Sequence, residues 1–153
     1  MKPVHELFGF KKKSKMTPEQ REVRDRMREE QTEIVNRGVM TRNKCRAKFR
    51  FMAGSEVRSK SVRCMDCALA IQRYKQHIIV LKYIPKFVTL ALKKKIEETP
   101  NVTPQQKERW KRNAKNNIAQ YRLQIRSAKL RAKTNCEVAR EAGAYIPFLG
   151  EKE

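Results

Sequence analysis

Nine apolar or small residues recur along one stretch of the chain at spacings of four and three: Trp110, Ala114, Ile118, Tyr121, Ile125, Ala128, Ala132, Cys136 and Ala139. An α-helix gathers such a series on one face, whereas a strand scatters it over both sides. The stretch is introduced by Thr103-Pro104-Gln105-Gln106. Thr103 can accept the free N–H groups of a first turn, Pro104 suits the first helical position, and Gln106 can close a capping box. Gly143 can end the helix in the left-handed conformation. The spacing predicts one helix from Pro104 to about Ala142. At 1.5 Å per residue it would be roughly 58 Å long, more than a globular core of this chain length requires. A helix of that length spans a partner surface or packs as a coiled coil.

The same start signal occurs earlier, as Thr17-Pro18-Glu19-Gln20. It predicts a helix to Arg37, with Gly38 as its left-handed stop. Val23, Met27, Ile34 and Val35 give that helix only a thin apolar stripe. Its four arginines face six acids between Thr17 and Asn36, and pairs such as Glu22–Arg26 and Asp25–Arg28 have the spacing of surface ion pairs. Further on, Cys45 to Phe51 alternates strictly: Cys45, Ala47, Phe49 and Phe51 on one side, Arg46, Lys48 and Arg50 on the other. As a strand it would turn at Gly54-Ser55 and return through Val57 to Val62, a short β-hairpin around residues 45–63. A helix from Thr41 to Ala53 places Cys45, Phe49 and Met52 together equally well, so both readings stand. Asp66 is placed to cap a third helix carrying Ala68, Leu69, Ile71, Tyr74, Ile78 and Leu81. Pro85 should bend or break it, leaving a second piece from Phe87 to Glu97. The expected fold is mostly α: an extended helical protein with one very long C-terminal helix, a small helical core and the candidate hairpin. Its organisation reads as a basic arm (1–16), a helical region (17–98), the long helix (99–143) and a short tail (144–153). In the tail, Tyr145 to Leu149 form a candidate docking patch.

Charge points to the partner. The chain has 37 Lys and Arg against 16 Asp and Glu, a net +21 on 153 residues. That excess repels itself unless an anion neutralises it, and nucleic-acid phosphates reward each cation with counterion release. The excess is concentrated. Residues 37–63 hold nine basic residues and one acid, and residues 107–133 hold ten and one. The candidate phosphate contacts are Lys11, Lys12 and Lys13 in the arm, and Arg42, Lys44, Arg46, Lys48, Arg50, Arg58, Lys60 and Arg63 in the first basic segment. On the long helix they are Lys107, Arg109, Lys111, Arg112, Lys115, Arg122, Arg126, Lys129, Arg131 and Lys133. Phe49, Phe51, Trp110 and Tyr121 lie among them and can stack on bases or pack in a core. No zinc-finger, helix-turn-helix or RNA-motif signature is present, which favours backbone contact with RNA by shape over sequence reading of DNA. In composition and architecture alone the chain resembles the helical proteins of organellar ribosomes. The expectation is a non-enzymatic RNA-binding component of a large ribonucleoprotein. It would meet neighbouring proteins through its first helix, the 110–139 seam and the tail. The alternative is a small viral or phage DNA-binding, packaging or host-enzyme-inhibiting protein that dimerises through that seam.

Four cysteines in a basic chain of this size do not suggest a disulfide scaffold. With no secretory signal, a reducing compartment is the default, whether cytoplasm, mitochondrion or other organelle, or an infected host cell. Cys64-x2-Cys67 with Cys45 supplies three thiolates for zinc, and His77 or Cys136 a fourth ligand. Against this, Cys67 and Cys136 suit buried helix faces as small apolar residues. No other cofactor is indicated. There is no phosphate-binding glycine loop and no catalytic histidine or carboxylate constellation. The most apolar run, His77 to Leu92, is interrupted by Lys82, Pro85 and Lys86, which argues against a membrane span.

Overall fold

The computed structural model describes residues 16–49 and 55–151, the side chains of 55–59 excepted. It is all α: helices α1 (Pro18–Lys48), α2 (Ser55–Glu98) and α3 (Pro104–Glu141) pack as a bundle, α1 against α2 and α2 against α3.

Both capping boxes form. Gln20 N–H donates to Thr17 Oγ1 at 3.2 Å while Thr17 N–H donates to Gln20 Oε1 at 2.9 Å. The same reciprocal pair joins Thr103 and Gln106, at 3.2 and 3.3 Å. At the far end of α3, Ala144 N–H reaches back to Ala139 O at 2.7 Å and Gly143 N–H to Arg140 O at 3.0 Å. Gly143 has φ of +67°. These features together are a Schellman cap, which satisfies carbonyls the helix end would otherwise leave open.

Four local expectations are corrected. No strand occurs among the described residues, so the 45–63 hairpin is replaced by the end of α1 and the start of α2. Cys45 and Phe49 are buried while Ala47 between them is exposed. Spacing of four therefore governs, and the two-residue alternation is incidental. Gly38 does not stop α1. It lies inside the helix, buried, where a Cβ would collide with the side chain of Gln72 on α2. Its role is close packing, not a left-handed turn. Asp66 is an exposed residue well inside α2, which begins at Ser55, so it caps nothing. Pro85 does not break α2, which continues to Glu98. Pro85 itself is at an exposed position.

The chain divides into two compact units. The first holds the described residues up to Glu29 together with Ile79–Leu123. Its buried residues come from all three helices: Gln20, Val23 and Met27 of α1, Val80, Ile84 and Phe87 of α2, and Tyr121 of α3. Thr99 to Thr103 connect α2 to α3, and Asn101 takes a left-handed φ of 59° that asparagine tolerates.

The second unit comprises Glu30–Ile78 and the chain from Gln124 onward. Here the cysteines correct the sequence reading outright. Cys45 of α1 is disulfide-bonded to Cys64 of α2, and Cys67 of α2 to Cys136 of α3, with Cα–Cα distances of 5.7 and 4.7 Å. All four are buried. Cys64 and Cys67 are one turn apart, so a single turn of α2 is linked covalently to both other helices. The tail folds back over these links. Ile146 and Met65 pack on the cluster of Cys45, Phe49, Cys64 and Ala144, while Tyr145 and Ile71 pack on Cys67, Cys136 and Ala139. Thr41, fully buried, donates to Arg37 O at 2.7 Å and accepts from Leu149 N–H at 3.0 Å. Lys75 ion-pairs with Glu151 and lies over the ring of Phe148.

Two predictions follow from this packing. The bridges close loops of 19 and 69 residues in sequence separation. On chain entropy they are worth about 3 and about 4 kcal/mol. Cys64→Ser and Cys67→Ser should each lower the denaturant midpoint accordingly, and non-reduced peptide mapping should recover 45–64 and 67–136 links. Gly38→Ala, which on an open helix would stabilise by about 0.5–1 kcal/mol, should instead destabilise by about 1–3 kcal/mol through overpacking. Adding Gln72→Ala should recover most of that loss in thermal melts.

Candidate nucleic-acid interface

Helix α3 separates two chemistries by its periodicity. Of the seam residues, Tyr121, Ile125, Ala132, Cys136 and Ala139 are buried, and Trp110, Ala114, Ile118 and Ala128 are half-buried. The chain's own helices thus bury five of the nine seam residues and partly cover the other four. All ten cations from Lys107 to Lys133 are exposed; Lys107 continues the seam's face one turn before Trp110, and the other nine lie off the seam. Lys107, Arg109, Lys111, Arg112, Lys115 and Arg122 belong to the first unit, and Arg126, Lys129, Arg131 and Lys133 to the second. Among the described residues, none of the ten is ion-paired or hydrogen-bonded through its side chain. Glu108 is the only acid in the stretch.

Helix α1 shows the opposite arrangement. Arg26 bonds Glu22 at 2.8 Å, Arg37 bonds Glu33 at 2.7 Å, and Arg24 meets Asp25 at 3.2 Å. The expected Glu22–Arg26 pair therefore forms, while Asp25 takes Arg24 rather than Arg28. Exposed pairs of this kind contribute little stability. Their consequence is that they internally neutralise much of the basic charge of α1.

The remaining candidates divide by environment. Lys44, Arg46, Lys48 and Arg63 are exposed, and Lys60 is half-buried. Arg42 is committed inward, donating to Gln72 Oε1. Arg50, Phe51, Lys11, Lys12 and Lys13 lie outside the described residues, as does the side chain of Arg58. The aromatic residues considered for base stacking are mostly unavailable. Phe49 and Tyr121 are buried, at 5% and 1% exposure. Trp110 is half-buried with Lys95 Nζ 4.5 Å from its ring centroid. The tail patch Tyr145–Leu149 is likewise turned inward, with Phe148 buried. Arg140 stacks on Tyr145 at 4.1 Å.

The thiolates expected for zinc are the same sulfurs that form the two disulfides, and a disulfide sulfur is not a thiolate ligand. Among the described residues no group of three or more His, Cys, Asp or Glu is arranged to hold a metal ion. His77 is half-buried, and desolvation lowers its pKa. Among the described residues no helix is long and apolar enough to cross a membrane.

Sequence reasoning missed the polar contacts that seat the tail, Thr41 with Leu149 and Lys75 with Glu151. Thr41 is four residues before Cys45, a spacing that puts both on one helix face. Nothing in the sequence links that face to residues more than a hundred positions away. No protein-family model, no curated protein and no solved structure matches the chain.

Burial of Tyr121 gives a pH test of the seam. Desolvation pushes its phenol well above the ordinary value of 10. The folded state therefore holds this group protonated while the unfolded chain ionises near pH 10, so its contribution to stability is complete below pH 10 and is lost as pH rises above it. Alkaline melts should show this decline, and Tyr121→Phe should flatten it and remove the latest-titrating phenolate from the absorbance titration.

Proposed function

We propose that the chain is a non-enzymatic, structural nucleic-acid-binding protein, with RNA favoured over DNA, that serves within a large ribonucleoprotein such as a ribosome. The observation that supports this is the set of exposed, uncompensated cations on α3 from Lys107 to Lys133, most of them around a seam that the chain's own core buries in large part. Five of them fall within the nine residues from Lys107 to Lys115. Arginine can fork onto phosphate and lysine acts as a mobile point charge, so the mixture tolerates an irregular backbone. Asn113, Asn116, Asn117 and Gln120 are exposed between the cations. Their amides can hydrogen-bond phosphate oxygens and ribose 2′-hydroxyls. With Phe49 and Tyr121 buried, this surface offers backbone contact rather than base stacking. The two disulfides are buried, which shields them from thiol exchange.

Fluorescence anisotropy with an RNA hairpin and its DNA counterpart tests the reading. RNA should bind more tightly, with affinity falling steeply as salt rises. Combining Lys107→Gln, Lys111→Gln and Lys115→Gln should reduce the log–log salt slope by about 2–3, one phosphate per lysine. A flat salt dependence, or a triple variant that binds like the parent, overturns the proposal.

A further inference from the structure

In the second unit, α3 carries a stripe on the side away from its buried seam. Ser127, Leu130, Thr134 and Val138 follow one another at spacings of three, four and four, which places them on one face. All four are exposed, Leu130 at 64% and Val138 at 40%. None is charged, in a chain that is 35% Asp, Glu, Lys and Arg. Arg126 and Lys133 border the stripe on one side and Arg131 on the other. All three are exposed and, among the described residues, without ion pairs.

We propose that this stripe is the docking face for an acidic amphipathic helix of a partner protein. Leucine and valine at these positions gain nothing from phosphate, but they match the apolar seam of a second helix laid along α3. The bordering cations match Glu or Asp on either side of such a seam. Glu137, beyond Lys133, calls for a basic residue at one end of the partner and so sets its direction. A second copy of this chain is disfavoured, because each brings a net +21 and the same basic borders. Nucleic acid is disfavoured here by contrast with the first unit. There the exposed positions of α3 from Lys107 to Arg122 hold no large apolar residue, and Leu123, 61% exposed, comes only at the unit's last position. The inference goes beyond the RNA reading and does not depend on it. It assigns Arg126, Arg131 and Lys133 to the partner helix and leaves Lys107 to Lys115 for phosphate.

The test titrates the full oxidised chain with a labelled synthetic helix carrying leucine at its seam positions and glutamate beside them. Control peptides replace leucine by serine, or glutamate by lysine. The leucine–glutamate peptide should bind, and both controls should bind at least about tenfold more weakly. Leu130→Gln should weaken peptide binding by about tenfold or more, Leu130→Met should retain it, and neither should change RNA hairpin affinity or the circular dichroism spectrum. Four results overturn the proposal: equal binding of the serine peptide, no effect of Leu130→Gln, a parallel loss of RNA affinity, or a dimer of the free chain that Leu130→Gln dissolves.

Discussion

One turn of α2 carries the covalent links of the second unit. Cys64 ties it to α1 and Cys67 ties it to α3. The need for such links follows from what surrounds them. The buried residues there include Ala68, Ala70, Ala132, Ala139 and Ala144, side chains that let helices approach closely but remove little apolar area from water. Close approach is also what the bridges demand. A Cα–Cα distance of 4.7 Å between Cys67 and Cys136 lies near the short end of disulfide geometry, and bulkier neighbours would hold the helices too far apart. Small residues and covalent links are two sides of one solution. Such an interface is narrow enough to be bridged and too lightly packed to hold a highly charged chain by burial alone.

The tail completes that solution. Ala144 and Ile146 join the cluster around Cys45 and Cys64, and Tyr145 packs on the one around Cys67 and Cys136. Buried sulfurs are shielded from attacking thiolates, since exchange depends on access. Thr41 and Lys75 hold the tail from α1 and α2. The tail is therefore a lid on the chain's own interior, and this is why its aromatic residues are not an exposed patch.

Charge is handled in two ways. On α1, acids one turn from arginines neutralise them locally. On α3 between residues 107 and 133, ten cations meet one acid, and the helix leaves them in water. The cost of that repulsion falls when an anionic surface is bound, which links the electrostatics of the free chain to the proposed role within a ribonucleoprotein. The uncharged stripe from Ser127 to Val138 divides the same helix further, into a stretch suited to phosphate and one suited to a partner helix.

Helix α3 was legible in the sequence almost to the residue. Its caps, its seam and its basic exterior are all set by periodicity and by side chains within four residues of one another, so local rules suffice. The same rules found the start of α1 and the Glu22–Arg26 pair. They failed where a residue's meaning depends on what lies across from it. Gly38 reads as a stop until Gln72 is seen packed on it. Cys45 to Phe51 reads equally as strand or helix until Ala47 is found exposed and Phe49 buried. Pro85 reads as a break until α2 is seen to run through it to Glu98. Above all, four cysteines at 45, 64, 67 and 136 carry no information about pairing, because pairing is a matter of distance after folding. The sequence by itself determined α3 with both its caps, the start of α1 and the sign of the surface. Only the tertiary structure decided that the seam is in large part internal, that the tail turns inward and that the cysteines join three helices, since each rests on contacts between residues far apart in the chain.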